Sequence, residues 1–115
     1  MPQRVRVSTI TYLNTVPLHW SLLRERPANL ELSFTVPAQC AAEVAAGRAD
    51  VGIIPSIEYQ RIPDLSVLAG PGIVSRERVR SILLLVRGPL EKIETVAADT
   101  SSRTSLALAE LVLRC

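Results

Sequence analysis

The chain has 115 residues, of which 48% are hydrophobic, with 13 basic and 11 acidic side chains. Its apolar fraction argues against an intrinsically disordered chain, and its length allows one domain of ordinary size. The net charge of +2, the scatter of basic residues from Arg4 to Arg114 and the content of one Trp, two Tyr and one Phe argue against nucleic-acid binding.

Three β-rich runs alternate with two helical runs in the first half of the chain. Period-two alternation of apolar and polar residues predicts the first two strands, and the apolar run after Asp50 predicts a buried parallel strand. The predicted strands are residues 4–10, 30–36 and 50–54. The predicted helices lie between them, over residues 17–26 and 37–46, and Gly47 ends the second helix.

The second half of the chain carries three more predicted strands and a final helix. Residues 78–86 form the longest β-rich run, which Gly88 and Pro89 break. The last residues have the apolar periodicity of an amphipathic helix. The predicted strands are residues 65–69, 78–86 and 95–98, with helical turns at 55–60 and 90–93 and a helix at 105–113.

This order of elements indicates an α/β fold with a parallel, doubly wound sheet. In such sheets, ligands bind beyond the carboxyl ends of the strands. That rule selects the loops after the first, third and last predicted strands, which are residues 11–15, 55–56 and 99–104.

Cysteine, histidine and targeting signals narrow the functional classes. Cys40 and Cys115 lack a metal or redox spacing, and His19 is the single histidine, so we expect no metal site. Cys40, in an alanine-rich run, is expected to be a small buried side chain. The aliphatic run at 82–86 is far shorter than the ~20 residues of a membrane span, and no signal peptide is visible. We therefore expect a cytoplasmic protein with no membrane partner.

The first loop contains Asn14, whose side chain can both donate and accept hydrogen bonds ahead of a helix N-terminus. The free N–H groups and partial positive charge of such a terminus suit a carboxylate or a phosphate. The alternative, which the local sequence favours, is that Asn14 or Thr15 only caps the helix.

The richest polar cluster is Asp-Thr-Ser-Ser-Arg-Thr-Ser at residues 99–105. Its hydroxyls, N–H groups and guanidinium would converge on an anion, although it lacks the glycines of a P-loop. A capped helix with a solvated loop is an equal alternative. Ser56 is expected to cap a short helix, with a cleft-facing role as the less favoured alternative. Ser81 interrupts an aliphatic strand, either bonded to backbone or facing the cleft.

No arrangement indicates nucleophilic or paired-carboxylate catalysis. A Ser-His-Asp triad would need His19, which fits a surface or packing residue better. The carboxylates of Asp50, Glu58 and Asp99 have no spacing that singles out a pair. The residues alone therefore predict a protein that binds a small organic anion between strand ends.

Four blocks of sequence, in order and over nearly the whole chain, resemble the chorismate dehydratase family of the futalosine route to menaquinone. The blocks are residues 8–18, which include Tyr-Leu-Asn-Thr, 47–59, 79–84 and 99–105. The resemblance implies a bacterial lyase that removes water from chorismate to give 3-[(1-carboxyvinyl)oxy]benzoate. It implies no metal and no organic cofactor.

The resemblance also implies a two-lobed α/β fold like that of type II periplasmic binding proteins, with the dicarboxylate substrate in the cleft. Residues 1–88 would form lobe 1 without its C-terminal return segment. Residues 89–115 would form the first strand and helix of lobe 2. Because family members are longer, we expect a truncated chain that is inactive alone and that associates with itself through uncovered apolar faces.

By position, the resemblance assigns Asn14 and Ser81 to the reacting centre. The residues that it places around the substrate carboxylates are Tyr12, Ser56, Thr100, Ser101, Ser102, Arg103, Thr104 and Ser105. A substrate carboxylate would remove the proton, so positioning and electrostatic stabilisation would supply most of the rate. Two alternatives remain: a non-catalytic solute-binding module for a small organic anion, and a LysR-type effector-binding domain, which the initial strand disfavours.

Overall fold

Strands and helices alternate through the first half of the chain in the computed structural model, which describes residues 3–115. The strands are β1 (Val5–Ile10), β2 (Leu30–Thr35) and β3 (Val51–Gly52). The α-helices are α1 (Val16–Arg24), α2 (Pro37–Ala45), α3 (Glu58–Arg61) and α4 (Arg103–Arg114). Two 3₁₀ helices cover Leu13–Thr15 and Leu90–Lys92.

The three strands form a parallel sheet in the order β2-β1-β3. Val5 pairs with Leu30 at one end of β1, and Ile10 pairs with Thr35 at the other. The ladder to β3 continues past its ends, because the Ile53 N–H group donates to the Ser8 carbonyl oxygen at 3.1 Å. The mixed α/β class and the first three strands are confirmed, although β3 is shorter than predicted.

Helix α2 ends just before Gly47, the residue predicted to terminate it. Gly47 has a φ of 67°, in the left-handed region that glycine enters without steric cost. Its N–H group donates to the Val44 carbonyl at 3.0 Å, and the Arg48 N–H group donates to the Glu43 carbonyl at 2.9 Å. This pair of bonds is a Schellman motif, which satisfies carbonyls that the helix end would otherwise leave open.

Helix α2 packs closely against β1 and β3. Cys40 is fully buried, as predicted, and its thiol donates to the Ser8 carbonyl oxygen at 3.1 Å. Burial raises the pKa of the Cys40 thiol. A Cβ atom at Gly52 would lie 2.5 Å from a methyl carbon of Val44, so the helix can approach the sheet only because this residue has no side chain.

Helix α1 covers the sheet with a histidine. His19 is 3% exposed, and its Nδ1 atom lies 3.0 Å from the hydroxyl of buried Thr9. Its ring meets Phe34 edge-to-face, with 5.4 Å between the ring centroids. This arrangement confirms the packing interpretation of His19.

The strands predicted over 65–69, 78–86 and 95–98 are wrong in this structure. Within residues 3–115, the stretch between α3 and α4 contains the Leu90–Lys92 3₁₀ helix and otherwise no helix or strand. A β-rich run becomes a strand only when a neighbouring strand supplies backbone partners, and local pattern does not reveal that neighbour. Apolar side chains of this stretch therefore face solvent, as Leu85 does with 88% exposure.

The molecule is elongated, measuring 60 × 27 × 22 Å. Its radius of gyration is 16.8 Å, against about 13 Å for a compact chain of this length. The difference comes from the irregular stretch, since the sheet and its helices form the packed part. None of the helices among residues 3–115 has the length and apolar character needed to cross a membrane.

Candidate functional site

The first loop (residues 11–15) is fixed by the buried side chain of Thr15. Its hydroxyl lies 2.7 Å from the Ile10 carbonyl oxygen and 2.6 Å from that of Tyr12, which folds the loop over the end of β1. Thr15 occupies the N-cap position of α1 without a side-chain bond to the helix, so the capping interpretation is wrong. The side chain of Asn14 is exposed on this turn.

The 55–58 turn follows β3 and enters the short helix α3. The Glu58 N–H group donates to the Pro55 carbonyl at 3.0 Å, and the Tyr59 N–H group donates to the Ser56 carbonyl at 3.2 Å. Ser56 is exposed, and the N-cap of α3 is Ile57, one residue later. The prediction that the Ser56 hydroxyl caps the helix is therefore wrong, and that hydroxyl remains at the surface.

The 99–105 segment is held together by its own polar groups. The Ser101 N–H group donates to the Asp99 carboxylate at 2.9 Å, and hydrogen bonding from Ser101 lowers the pKa of Asp99. The hydroxyl oxygens of Ser102 and Ser105 lie 2.7 Å apart, while Thr100 is exposed. Ionised Asp99 is therefore a structural acceptor and a poor proton donor.

Helix α4 begins in this segment with an open N-terminus. Ser102 is its N-cap, but the Ser102 hydroxyl is paired with Ser105 and makes no capping bond to the helix backbone. The first turn contains no acidic side chain. Its backbone N–H groups and the positive end of the helix dipole are therefore oriented to receive an anion.

Contacts bring the three loops together at one edge of the sheet. The Tyr12 hydroxyl lies 3.4 Å from that of Ser101, and the Ile57 N–H group donates to the Thr104 hydroxyl at 3.4 Å. The Ala38 N–H group at the start of α2 donates to the Ser101 carbonyl at 3.2 Å. The loops chosen by the strand-end rule thus meet in space, although the third one does not follow a strand.

A buried carboxylate lies under this edge. Glu58 is 2% exposed, and its two oxygens accept from Arg103 at 3.1 Å and from Arg61 at 3.4 Å. The sequence indicated Glu58 only as an acid/base candidate, and its pairing with Arg103 was missed. The sequence did contain a signal for this pairing: Glu58 directly follows the mostly apolar residues 51–57. A carboxylate that is buried in such surroundings needs a cationic partner.

Ser81 is not brought to the three loops. It lies in an exposed turn within the irregular stretch, so its expected place inside a buried strand is wrong. The reason is the missing pairing of residues 78–86 described above.

Asp50 lies near the other end of the strands, where it holds β3 to β1. Its carboxylate accepts from Arg6 through the backbone N–H at 2.8 Å and through the guanidinium at 2.7 and 3.1 Å. The three carboxylates that were candidates for acid/base chemistry therefore each have a separate structural partner.

Comparison with known proteins gives the family. Residues 5–115 match the sequence profile of a family described as menaquinone biosynthesis. The chain is 31% identical over 104 residues to a chorismate dehydratase of Thermus thermophilus, covering 90% of this chain and 37% of that protein. No solved structure matches. The chain spans little more than a third of this relative's length, and it belongs to the menaquinone biosynthesis family.

Proposed function

We propose that the protein to which this chain belongs is a lyase that dehydrates chorismate to 3-[(1-carboxyvinyl)oxy]benzoate. The observation that carries this proposal is the 31% identity to a chorismate dehydratase along 90% of the chain. The residue chemistry supports it, since the three loops expose hydroxyls, a guanidinium and an uncapped helix N-terminus toward one edge. These groups suit a dicarboxylate.

In this proposal the 99–105 segment binds one carboxylate of chorismate. Arg103 supplies charge, the open turn of α4 supplies N–H donors, and the segment's hydroxyls supply neutral donors. The binding residues are Tyr12, Ser56, Thr100, Ser101, Ser102, Arg103, Thr104 and Ser105. Because Ser102, Arg103 and Thr104 already have hydrogen-bond partners within the protein, binding through these side chains orients the ring at a reduced entropic cost.

Asn14 is proposed at the reacting centre, where its exposed amide can donate to the hydroxyl group that leaves as water. The elimination breaks a ring C–H bond and the C–O bond of that hydroxyl group: a carboxylate of the substrate takes the ring proton and passes it to the departing hydroxyl group, which leaves as water. This route fits the described residues, because Asp99 and Glu58 at this edge are already paired, and so is Asp50 near the other end of the strands. Ser81 stays a proposed reacting-centre residue on the resemblance alone.

The two-lobed, periplasmic-binding-protein-like fold is part of the same proposal. Residues 1–88 belong to one lobe and residues 89–115 begin the other. The three loops form an open edge, and water reaches the side chains of Asn14 and Ser56. Since electrostatic stabilisation is strong only where water is excluded, we propose that residues 1–115 alone do not turn over chorismate. A cytoplasmic location stays a prediction.

Mass spectrometry of chorismate incubations tests the proposal. Two samples are incubated with chorismate: the 115-residue chain, and a longer protein that contains it and has the length of the chorismate dehydratase relative. Loss of one water molecule from chorismate is monitored in both samples. We expect conversion by the longer protein only. Binding of chorismate without water loss would instead indicate a solute-binding module for organic anions. Conversion by residues 1–115 alone would contradict the need for a closed site.

A further inference from the structure

Glu58 is a buried, ion-paired carboxylate, and the local fold does not require a carboxylate at this position. Its side chain is 2% exposed at the start of α3, a helix of only 4 residues. Burying a carboxylate is unfavourable unless cations pair with it, and an apolar residue of similar size often serves stability equally well. The stability of so short a helix therefore does not explain this carboxylate.

The partners of Glu58 point to the proposed site. Arg103, 45 residues later and first in α4, donates from one terminal guanidinium nitrogen to the carboxylate at 3.1 Å. Its side chain is 38% exposed, so other guanidinium donors remain open to solvent. The Ile57 N–H group also donates to the Thr104 hydroxyl, so a second bond connects the 55–58 turn to the start of α4.

The charge of the cluster also favours an anionic ligand. The Glu58 carboxylate lies between the guanidinium groups of Arg61 and Arg103, so these three side chains together carry one net positive charge. Glu58 binds one side of the planar Arg103 guanidinium group. The N–H donors on its other side are therefore held in a fixed direction beside the open N-terminus of α4.

We propose that Glu58 is a positioning residue, which holds Arg103 so that its free donors and the first turn of α4 bind one carboxylate of the ligand together. This inference rests on the proposed function for the identity of the ligand. Glu58 itself does not touch the substrate and acts through Arg103.

The substitution Glu58→Gln tests this role, because glutamine keeps the shape and removes the charge. In the full-length protein we expect the KM for chorismate to rise about tenfold while kcat changes less than about threefold. The matched control is Glu110→Gln, which makes the same change in the exposed pair with Arg114 on α4. The control is expected to behave as the unmodified protein, and an equal loss in both variants would overturn the proposal.

A double-substitution cycle separates positioning from general damage. If Glu58 acts through Arg103, Glu58→Gln in an Arg103→Ala background should change the Kd for chorismate by less than about twofold. Full additivity of the two losses would overturn the role. If Glu58→Gln does not fold, Glu58→Asp keeps the charge but shortens its reach, and an unchanged Kd in that variant would also overturn it.

Nitrogen-15 NMR of the arginine side chains decides the inference without chorismate. The protons on the Arg103 Nη1 atom, which bond to Glu58, should exchange with water slowly in the unmodified protein and faster in Glu58→Gln. Equal signals in both proteins would overturn the positioning role. A protein that shows the protected signals but neither binds nor dehydrates chorismate would refute the proposed function and leave the positioning of Arg103 supported.

Discussion

The polar side chains of this molecule fall into two groups: some bond to other residues and stabilise the fold, and others are exposed to solvent. Thr15, Glu58 and Asp50 each have fixed partners. Asn14 and Ser56 are exposed and make no capping bond to the helices that they precede. Sequence places Asn14, Thr15 and Ser56 in loops, Asp50 at the start of a predicted strand and Glu58 in a predicted helical turn. It cannot separate the two groups, because the separation depends on where the hydroxyls and carboxylates find partners.

The substitution Asn14→Ala is expected to reduce turnover with little change in stability. The side chain is exposed, so the free energy of unfolding should change by less than about 0.5 kcal/mol. If the proposed function holds, turnover of chorismate by the proposed longer enzyme should fall at least about tenfold, since a donor to the leaving group is lost. Thermal unfolding and initial rates measure the two effects. A sharp fall in melting temperature with normal activity per folded molecule would restore a structural role for Asn14.

The ion pair between Arg6 and Asp50 predicts a dependence of stability on acid. Bonds from Arg6 lower the pKa of the Asp50 carboxyl from 3.8 to about 2. A depressed pKa in the folded state stabilises the fold above the unfolded pKa, and this contribution is lost as the pH falls from about 4 to about 2. The melting temperatures of the unmodified protein and Asp50→Asn should therefore converge across that window. A constant difference between them would show that the pair's charge is unimportant.

Among the elements, local patterns predicted the packed half of the chain well. Alternation identified β1 and β2, and the proline and glycine signals identified the limits of α2. These features depend on residues close in sequence. The strand predicted at 78–86 failed because strand formation depends on a distant neighbour, which no local pattern specifies. The pairing of Glu58 with Arg103 was missed for the same reason, since 45 residues separate the two.

The close approach of α2 to β3 predicts a large effect of a single methyl group. Gly52→Ala would place a Cβ atom 2.5 Å from Val44 and 3.1 Å from the Cys40 sulfur. We expect a loss of about 1–3 kcal/mol in the free energy of unfolding, as for overpacked cores. Urea denaturation measures it, with Gly72→Ala as the control because a methyl group there would have no neighbour within 4 Å. Equal stability of the two variants would contradict this packing.

At the scale of the whole molecule, the elongated shape goes together with an irregular stretch whose apolar side chains are exposed to solvent. Many large hydrophobic side chains of the irregular stretch are exposed, including Leu83 at 71% and Leu85 at 88%. Exposed apolar side chains that lie together mark an interaction site or a liability to aggregate. Composition alone did not predict this outcome, because 48% hydrophobic residues suggested a single buried core.

The 115-residue chain is therefore expected to associate with itself at raised concentration. Leu85→Glu should shift the distribution toward monomer by placing a charge in the apolar run. Leu13→Glu is the matched control, because Leu13 is 85% exposed but lies outside that run. Light scattering across a concentration series measures the association. A monomer at all concentrations, or an equal effect of both substitutions, would contradict association through the aliphatic run at residues 82–86.

The central position of β1 has a consequence for the order of folding during synthesis. β1 leaves the ribosome before β2, and its second neighbour, β3, follows more than 40 residues after β1 in the sequence. At synthesis rates of about 5–20 residues per second, β1 and β2 wait for seconds before β3 completes the sheet. Nascent β1 thus has one unoccupied edge during that interval, which any chaperone or competing strand can reach before β3 arrives.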